Sequence, residues 1–250
     1  MNENILQKMK QMKLYGMALA FKTSIEEHSI PQFTADEMVT FLVDAEYDDR
    51  NNRRISRRIR NARFRYKAVL EQIDFAVERN LDRNLMNRLS ECSFIDKHEN
   101  VLISGSTGIG KSYLASALGN QACMLGYKVY YASTAKLFSM LKIAKADGSY
   151  IKEIARIEKQ DLLILDDFGM QPMDNHNRSA LIEIVEDRHG KHSTIITSQL
   201  PVKGWHEVIG EHTIADAILD RIVHNAHRIE LNGESLRKRQ HSNLDQNEQL

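Results

Sequence analysis

The chain has 250 residues, enough for one large domain and a smaller one around a substantial buried core. Apolar residues make up 42% and charged residues 27%, with only 12 Gly and 3 Pro, a helix-rich globular composition that excludes a disordered or fibrous chain. The 34 basic and 34 acidic residues cancel, so bulk charge selects no partner and any nucleic-acid contact must come from local clustering.

The first residues, Met1 to Lys8, carry charges with no apolar run behind them, so no secretory signal is expected. Apolar positions Ile5, Met9, Met12, Tyr15 and Leu19 step by three and four, a helical period. After Pro31, Thr34 and Glu37 make a capping box ahead of a helix bearing Met38, Phe41, Leu42 and Ala45. A third helix is predicted over 50–70, and helix continues to about residue 95 through Phe75, Leu81, Leu85 and Leu89. From Asn100, strands alternate with helices. Val101–Ser104 is a strand, and Lys111–Leu125 is a helix stopped at Gly126. Val129–Ala132 is a second strand, followed by one or two helices over 134–160 with a break at Gly148. Leu162–Asp166 is apolar throughout until its end, as befits a strand buried on both faces. A helix over 176–189, the strand Thr194–Ser198, a helix over 213–226 and a short strand Arg228–Leu231 complete the pattern. Strands separated by helices predict an α/β fold with parallel pairing and right-handed crossovers. The domain reading is a helical N-terminal domain over 1–72, an α/β domain over 73–240 and a polar tail over 241–250. No stretch approaches ~18 apolar residues, so no membrane span is expected. Cys92 and Cys123 lack metal-ligand spacing and require no disulfide, which fits a reducing cytoplasm.

The motifs that carry chemistry lie in the α/β part. Gly105-Ser106-Thr107-Gly108-Ile109-Gly110-Lys111-Ser112 matches the pattern G-x-x-x-x-G-K-[S/T] between a strand and a helix. Glycines let successive backbone N–H groups turn toward phosphate oxygens, and the helix N-terminus adds its positive dipole end. Lys111 is expected on the β- and γ-phosphates of ATP, Ser112 on Mg²⁺, and Tyr113 beside them. The strand ending in Asp166-Asp167 has the Walker B form. Asp166 would hold Mg²⁺ directly or through water, and Asp167 would orient the attacking water. An acidic turn after a core strand is the plain alternative, which the Gly-rich loop upstream disfavours. Thr197 and Gln199, at the end of another apolar strand, stand where ligands bind in open α/β sheets, or form a simple strand-end turn before Pro201. Arg221, late in an amphipathic helix, is either a solvent-facing arginine or a finger for transition-state charge. His224 and His227, at i, i+3 spacing, have no acidic or Cys companions in the pattern and read as structural or surface residues, with a metal site the lesser alternative.

GSTGIGKS, LLILDDFG, the run Thr194–Pro201, the run Ile214–Arg221 and Gly233-Glu234-Ser235-Leu236-Arg237, in this order, resemble the IstB family of insertion-sequence transposition helper ATPases. That family shares the AAA+ clade with DnaC-type helicase loaders, and the resemblance covers nearly the whole chain. It implies a small helical N-terminal domain and an AAA+ P-loop three-layer α/β/α core with a five-stranded parallel sheet. It implies ATP-driven self-assembly on target duplex DNA, ATP sites at subunit interfaces, and recruitment or stimulation of the element's transposase. Arg221 is then an arginine finger on a neighbour's γ-phosphate, and Gln199 the sensor on the fourth strand, where many relatives in the wider superfamily carry Asn. Most AAA+ ATPases end Walker B in Asp-Glu. The Asp166-Asp167 pair implies slow hydrolysis, dependent on DNA and oligomer. No C-terminal helical lid is expected, with Arg237 as a partial substitute for its sensor.

Two basic clusters are candidates for DNA. The run from Arg50 to Lys67 holds no acid, and on a helix Arg50, Arg54, Arg57 and Arg58 share a face with Arg53 to its side. Such a stripe suits a duplex backbone through counterion release without sequence readout. The alternative is a solvated face, or arginines bridging to acids of a neighbouring subunit. Lys136, Lys142, Lys145 and Lys152 precede Walker B, in a region that faces nucleic acid in the initiator and loader clade, a resemblance that supports Lys142 and Lys145. A helicase loader of the DnaC type is the second functional reading, and an ATP-gated switch with little hydrolysis the third.

Overall fold

The computed structural model describes residues 2–236, and these separate into two compact units, Met1–Arg57 and Arg58–Leu250. In the first unit, α1 (Asn2–Gln11) and α2 (Tyr15–Glu26) precede the start of α3 (Ala35–Ala62), a 28-residue helix that runs on past the boundary. The Thr34–Glu37 capping box forms: the Glu37 carboxylate accepts from Thr34 N at 2.8 Å, and Glu37 N donates to Thr34 Oγ1 at 3.3 Å. Glu46 on α3 is buried and accepts from the N–H groups of Gly16 and Met17 at the start of α2, at 2.8 and 3.2 Å. Burial opposes its ionisation, but Arg50 and those N–H groups together hold its pKa below the usual carboxylate range. Large apolar side chains of this unit remain exposed, among them Met12, Leu19, Val39, Val43 and Tyr47.

In the second unit, α4 (Arg83–Ser90) and α5 (Ser93–Asp96) lead into β1 (Asn100–Gly105) and α6 (Lys111–Leu125). There follow β2 (Val129–Ser133), α7 (Thr134–Asp147), α8 (Tyr150–Glu158), β3 (Leu162–Phe168) and α9 (Asn175–Arg188). The described part closes with β4 (Ser193–Ser198), α10 (Trp205–Ile209), α11 (His212–Val223) and β5 (Ala226–Leu231). The strands form one parallel sheet in the order β2-β3-β4-β1-β5. Alternate residues of each strand enter opposite cores, as the period of two requires. Val101, Ile103, Leu162, Ile164 and Ile195 pack with Leu114 and Leu118 of α6. Leu102, Leu163, Leu165 and Ile196 pack with Leu137, Leu181 and Ile218 of α7, α9 and α11 on the other face. This is the three-layer AAA+ core with a five-stranded parallel sheet.

Two sequence expectations are corrected. The helices predicted at 35–45 and 50–70 are one, ending at Ala62; the i,i+4 pairs Glu46–Arg50 and Asp49–Arg53 span the expected gap. Residues 63–82 are not helical apart from a single 3₁₀ turn, Leu70–Gln72. Phe64, Tyr66, Ala68, Ile73 and Phe75 instead pack individually on the α6-side core, and Asn120 of α6 donates to Ala68 O at 2.9 Å. Tertiary contacts override the local helical period there. Among the described residues no helix is long and apolar enough to cross a membrane. Arg237 and the tail lie outside the described residues.

Candidate nucleotide-binding site

The Gly-rich loop joins β1 to α6 at the C-terminal edge of the sheet. Gly108 and Gly110 adopt φ of 82° and 103°, and a Cβ at either would collide, with Ser235 Oγ and with Arg79 Nη1 respectively. Glycine is therefore required there for both conformation and room. Lys111 is 5% exposed, and its Nζ donates to Gly105 O at 2.8 Å and Ser106 O at 2.9 Å, inside the curl of the loop. Burial lowers its pKa, while Asp167 and Asp166 pull the other way. Neighbouring segments brace the loop. Arg79, itself buried, donates from Nη1 to Ile109 O at 3.1 Å. Leu236 N donates to Gly108 O at 3.0 Å, and Ser106 Oγ to Gly233 O at 3.2 Å. Beside the loop is a cleft of ≈ 380 Å³ lined by Thr107, Gly108, Gly110, Lys111, Ser112 and Tyr113, together with Arg65, Asp167 and Gln199. The Tyr113 hydroxyl donates to Gln72 Oε1 at 3.1 Å.

Asp166 is fully buried at the end of β3. Ser112 Oγ donates to its Oδ1 at 2.8 Å, Thr197 Oγ1 to the same oxygen at 2.5 Å, and the Tyr131 hydroxyl to Oδ2. A buried carboxylate needs such donors to satisfy its oxygens. Burial, and then the bond to Asp166, push the Tyr131 hydroxyl well above its ordinary pKa. Adjacent residues of a regular strand point to opposite faces. Here the β3–β4 register shifts between Leu165 and Phe168, and Asp167 takes a left-handed φ of 58°, with its N–H donating to Thr197 Oγ1 at 3.1 Å. The irregularity brings both carboxylates to one cation: Arg65 Nη1 lies 3.6 Å from Asp166 Oδ2 and 3.1 Å from Asp167 Oδ2.

The sequence-derived candidates divide spatially. Gly105 to Tyr113, Asp166, Asp167 and Gln199 gather at one edge of the sheet. Thr197, offered with Gln199 as a cleft residue, is instead buried beneath Asp166 and Asp167. Arg221 stands at the other edge. Its backbone oxygen accepts from Asn100 Nδ2, at the start of β1, at 3.4 Å; its Nη2 is 2.7 Å from Glu186 Oε1 of α9. At ~3.3 Å per strand residue, the length of β1 separates Arg221 from the loop by roughly 17 Å. Of the basic run, Arg50 is paired with Glu46 at 2.6 Å, and Arg53 with Asp49, while Arg54 and Arg57 are exposed with no ion pair among the described residues. Arg58 is half-buried, in the second unit. Lys136, Lys142 and Lys145 are exposed on α7; Lys145 lies 4.7 Å over the Tyr150 ring, whose hydroxyl donates to Glu183 at 2.6 Å. His227 lies 2.8 Å from Glu99, and no metal-binding group of His, Cys, Asp and Glu occurs among the described residues. Arg65, Arg79 and Tyr131 escaped the sequence reading. In sequence, Arg65 is one arginine of the basic run, Tyr131 is an ordinary strand aromatic, and Arg79 falls in a stretch of helical apolar spacing.

The family profile described as IstB-like ATP binding protein matches residues 7–244. A Sinorhizobium fredii protein named as an insertion sequence ATP-binding protein is 47% identical over 235 residues, covering 94% of this chain and 96% of that protein. The similarly named protein of insertion sequence IS21 from Pseudomonas aeruginosa is 29% identical, covering 92% and 86%. Among solved structures, DnaI is similar with a TM-score of 0.58 at 25% identity over 66% of this chain and 92% of that one. The DnaC helicase loader has a TM-score of 0.55 at 20% identity over 67% and 98%, a likeness of fold alone.

Proposed function

This chain belongs to the IstB-like ATP-binding protein family, and from that premise we propose that it is an ATP-dependent regulator of DNA transposition that assembles on duplex DNA and recruits or stimulates the transposase of its element. The observation that carries the reading is the gathering of Lys111, Ser112, Asp166 and Asp167 at one sheet edge, with Arg221 at the opposite edge. ATP binds along Gly105 to Tyr113. Lys111 exchanges its bonds to loop carbonyls for phosphate oxygens, exposing the loop N–H groups to the same anion. The oxygen-only pair of Ser112 hydroxyl and Asp166 carboxylate fits a magnesium ion, which supplies charge neutralisation at the terminal phosphates. Asp167, one residue beyond and partly exposed, orients the water that attacks the γ-phosphorus, and Gln199 faces the same region.

Arg221 cannot reach the nucleotide of its own subunit across the sheet, so its place as a finger is on a neighbour's γ-phosphate. Each ATP is then completed by assembly, and the exposed apolar side chains of the first unit give further surface for it. Arg54 and Arg57, exposed and without ion pairs among the described residues, are the strongest phosphate-backbone candidates in the basic stripe. Arg50 and Arg53 share their charge with Glu46 and Asp49, and Arg58, Lys136, Lys142 and Lys145 extend the basic surface. The site of action is the cytoplasm, on the nucleoid. The helicase-loader reading rests on a likeness of fold alone and is set aside. The test mixes subunits carrying Arg221→Ala with subunits carrying Asp167→Ala, each inactive by itself. Hydrolysis should reappear at hybrid interfaces that combine an intact finger with an intact carboxylate. Absence of rescue at every mixing ratio, with assembly retained, refutes a finger acting between subunits.

A further inference from the structure

Arg65 has no part in the roles assigned above, yet it touches the centre of the site. It lies three residues beyond the end of α3, and its guanidinium bridges Asp166 and Asp167. It lines the same cleft as Lys111, Thr107 and Ser112. Its side chain is 46% exposed, so it is no sealed structural cation. Its ion pairs among the described residues are with the two carboxylates, and its guanidinium lies 5.5 Å from the ring of its neighbour Tyr66. With close to half of its side chain exposed, it can leave the carboxylates toward the cleft. Lys111, by contrast, is buried within the loop.

The charges dictate what Arg65 does when the cleft fills. Two adjacent carboxylates hold one guanidinium. A divalent cation arriving with the nucleotide competes for the same carboxylate oxygens with twice the charge and repels the guanidinium. The anion then left in the cleft is the terminal phosphate, whose oxygens match the planar fork of an arginine. With a diphosphate that anion is missing.

We propose that Arg65 reads the γ-phosphate within its own subunit: it pairs with Asp166 and Asp167 when that phosphate is absent and transfers its guanidinium to it when ATP is bound. The proposal rests on the ATP reading given above.

The experiment compares affinities for a non-hydrolysable ATP analogue and for ADP, both with Mg²⁺, by isothermal titration of the full chain. Wild type, Arg65→Ala and Arg65→Gln are measured, the Gln variant preserving bulk if Ala unfolds. Loss of one charge-assisted contact to a partly exposed phosphate should weaken the ATP analogue about tenfold. ADP affinity should stay unchanged or tighten, because ADP never gained the contact. An unaltered ratio of the two affinities in a folded variant, whether both fall together or neither moves, overturns the role of Arg65 alone. Wild-type protein that binds neither nucleotide overturns the ATP reading and this proposal with it.

Discussion

Thr197→Val changes a hydroxyl to a methyl at constant shape, in a fully buried position. The hydroxyl donates to Asp166 Oδ1 at 2.5 Å and accepts from Asp167 N at 3.1 Å. Valine removes a bond to a charged group, about 1.5–3 kcal/mol, and strands the Asp167 N–H, about 1–3 kcal/mol. Burying the extra methyl returns about 0.8 kcal/mol. The expected net loss is about 2–4 kcal/mol, moderated because Ser112 and Tyr131 still donate to Asp166. Thr197→Ser keeps both hydrogen bonds and deletes only a buried methyl, for about 1 kcal/mol. Urea denaturation can be followed through Trp205, the single tryptophan, which is fully buried with its ring 4.7 Å from that of Phe168, next to Asp167. The variants should differ in midpoint with an unchanged slope. If Ser proves costlier than Val, the site is held by shape and not by the hydroxyl, and the reasoning fails.

Simultaneous replacement of Arg54, Arg57 and Arg58 by Ala should lower the slope of log affinity for duplex DNA against log salt by about 2–3, at roughly 0.9 per phosphate contact. An unchanged slope places DNA on another surface. Cys92 and Cys123 are buried, and burial pushes both thiols up to about 12. Both should resist a disulfide reagent in native protein at pH 8 and react on unfolding; rapid native labelling of either would contradict the core packing. An unfolded thiol ionises near about 8.5, so above that pH the unfolded chain sheds protons that the native chain retains. Stability is therefore full below that point and falls as pH rises from about 9 toward about 12.

The sheet and the phosphate loop were legible because each depends on a local pattern. Val101–Ser104, Leu162–Asp166 and Thr194–Ser198 are short apolar runs punctuated by polar residues, and the loop is a fixed spacing of Gly, Lys and Ser. What escaped depends on residues far apart in the chain. Tyr131 reaches Asp166 because β2 pairs with β3, with Ser133 opposite Asp166, and no spacing encodes that neighbour. Arg65 sits in a basic run whose composition suggests a solvated or DNA-facing helix, and only the end of α3 at Ala62 turns it toward the carboxylates. Residues 63–82 misled for the same reason: their apolar side chains recur at helical spacing, yet each is bound to a separate place on the core. The left-handed Asp167 is equally silent in sequence, since nothing in Leu-Asp-Asp-Phe announces a register shift.

The strand order has a consequence for how the molecule is made. β1, which carries the phosphate loop, lies between β4 and β5, the last two strands among the described residues. During synthesis its apolar run, Val101-Leu102-Ile103, emerges first and stays unpaired on both edges until residues 193–198 and then 226–231 have followed. At ~5–20 residues per second that wait lasts roughly 6–25 s. A sticky strand exposed for so long is a target for chaperones or for the same strand of a nascent copy on a neighbouring ribosome. The phosphate loop is braced by Gly233 and Leu236, which arrive later still. Ribosome stalling between β3 and β5 should therefore be far more damaging to yield than stalling before β1.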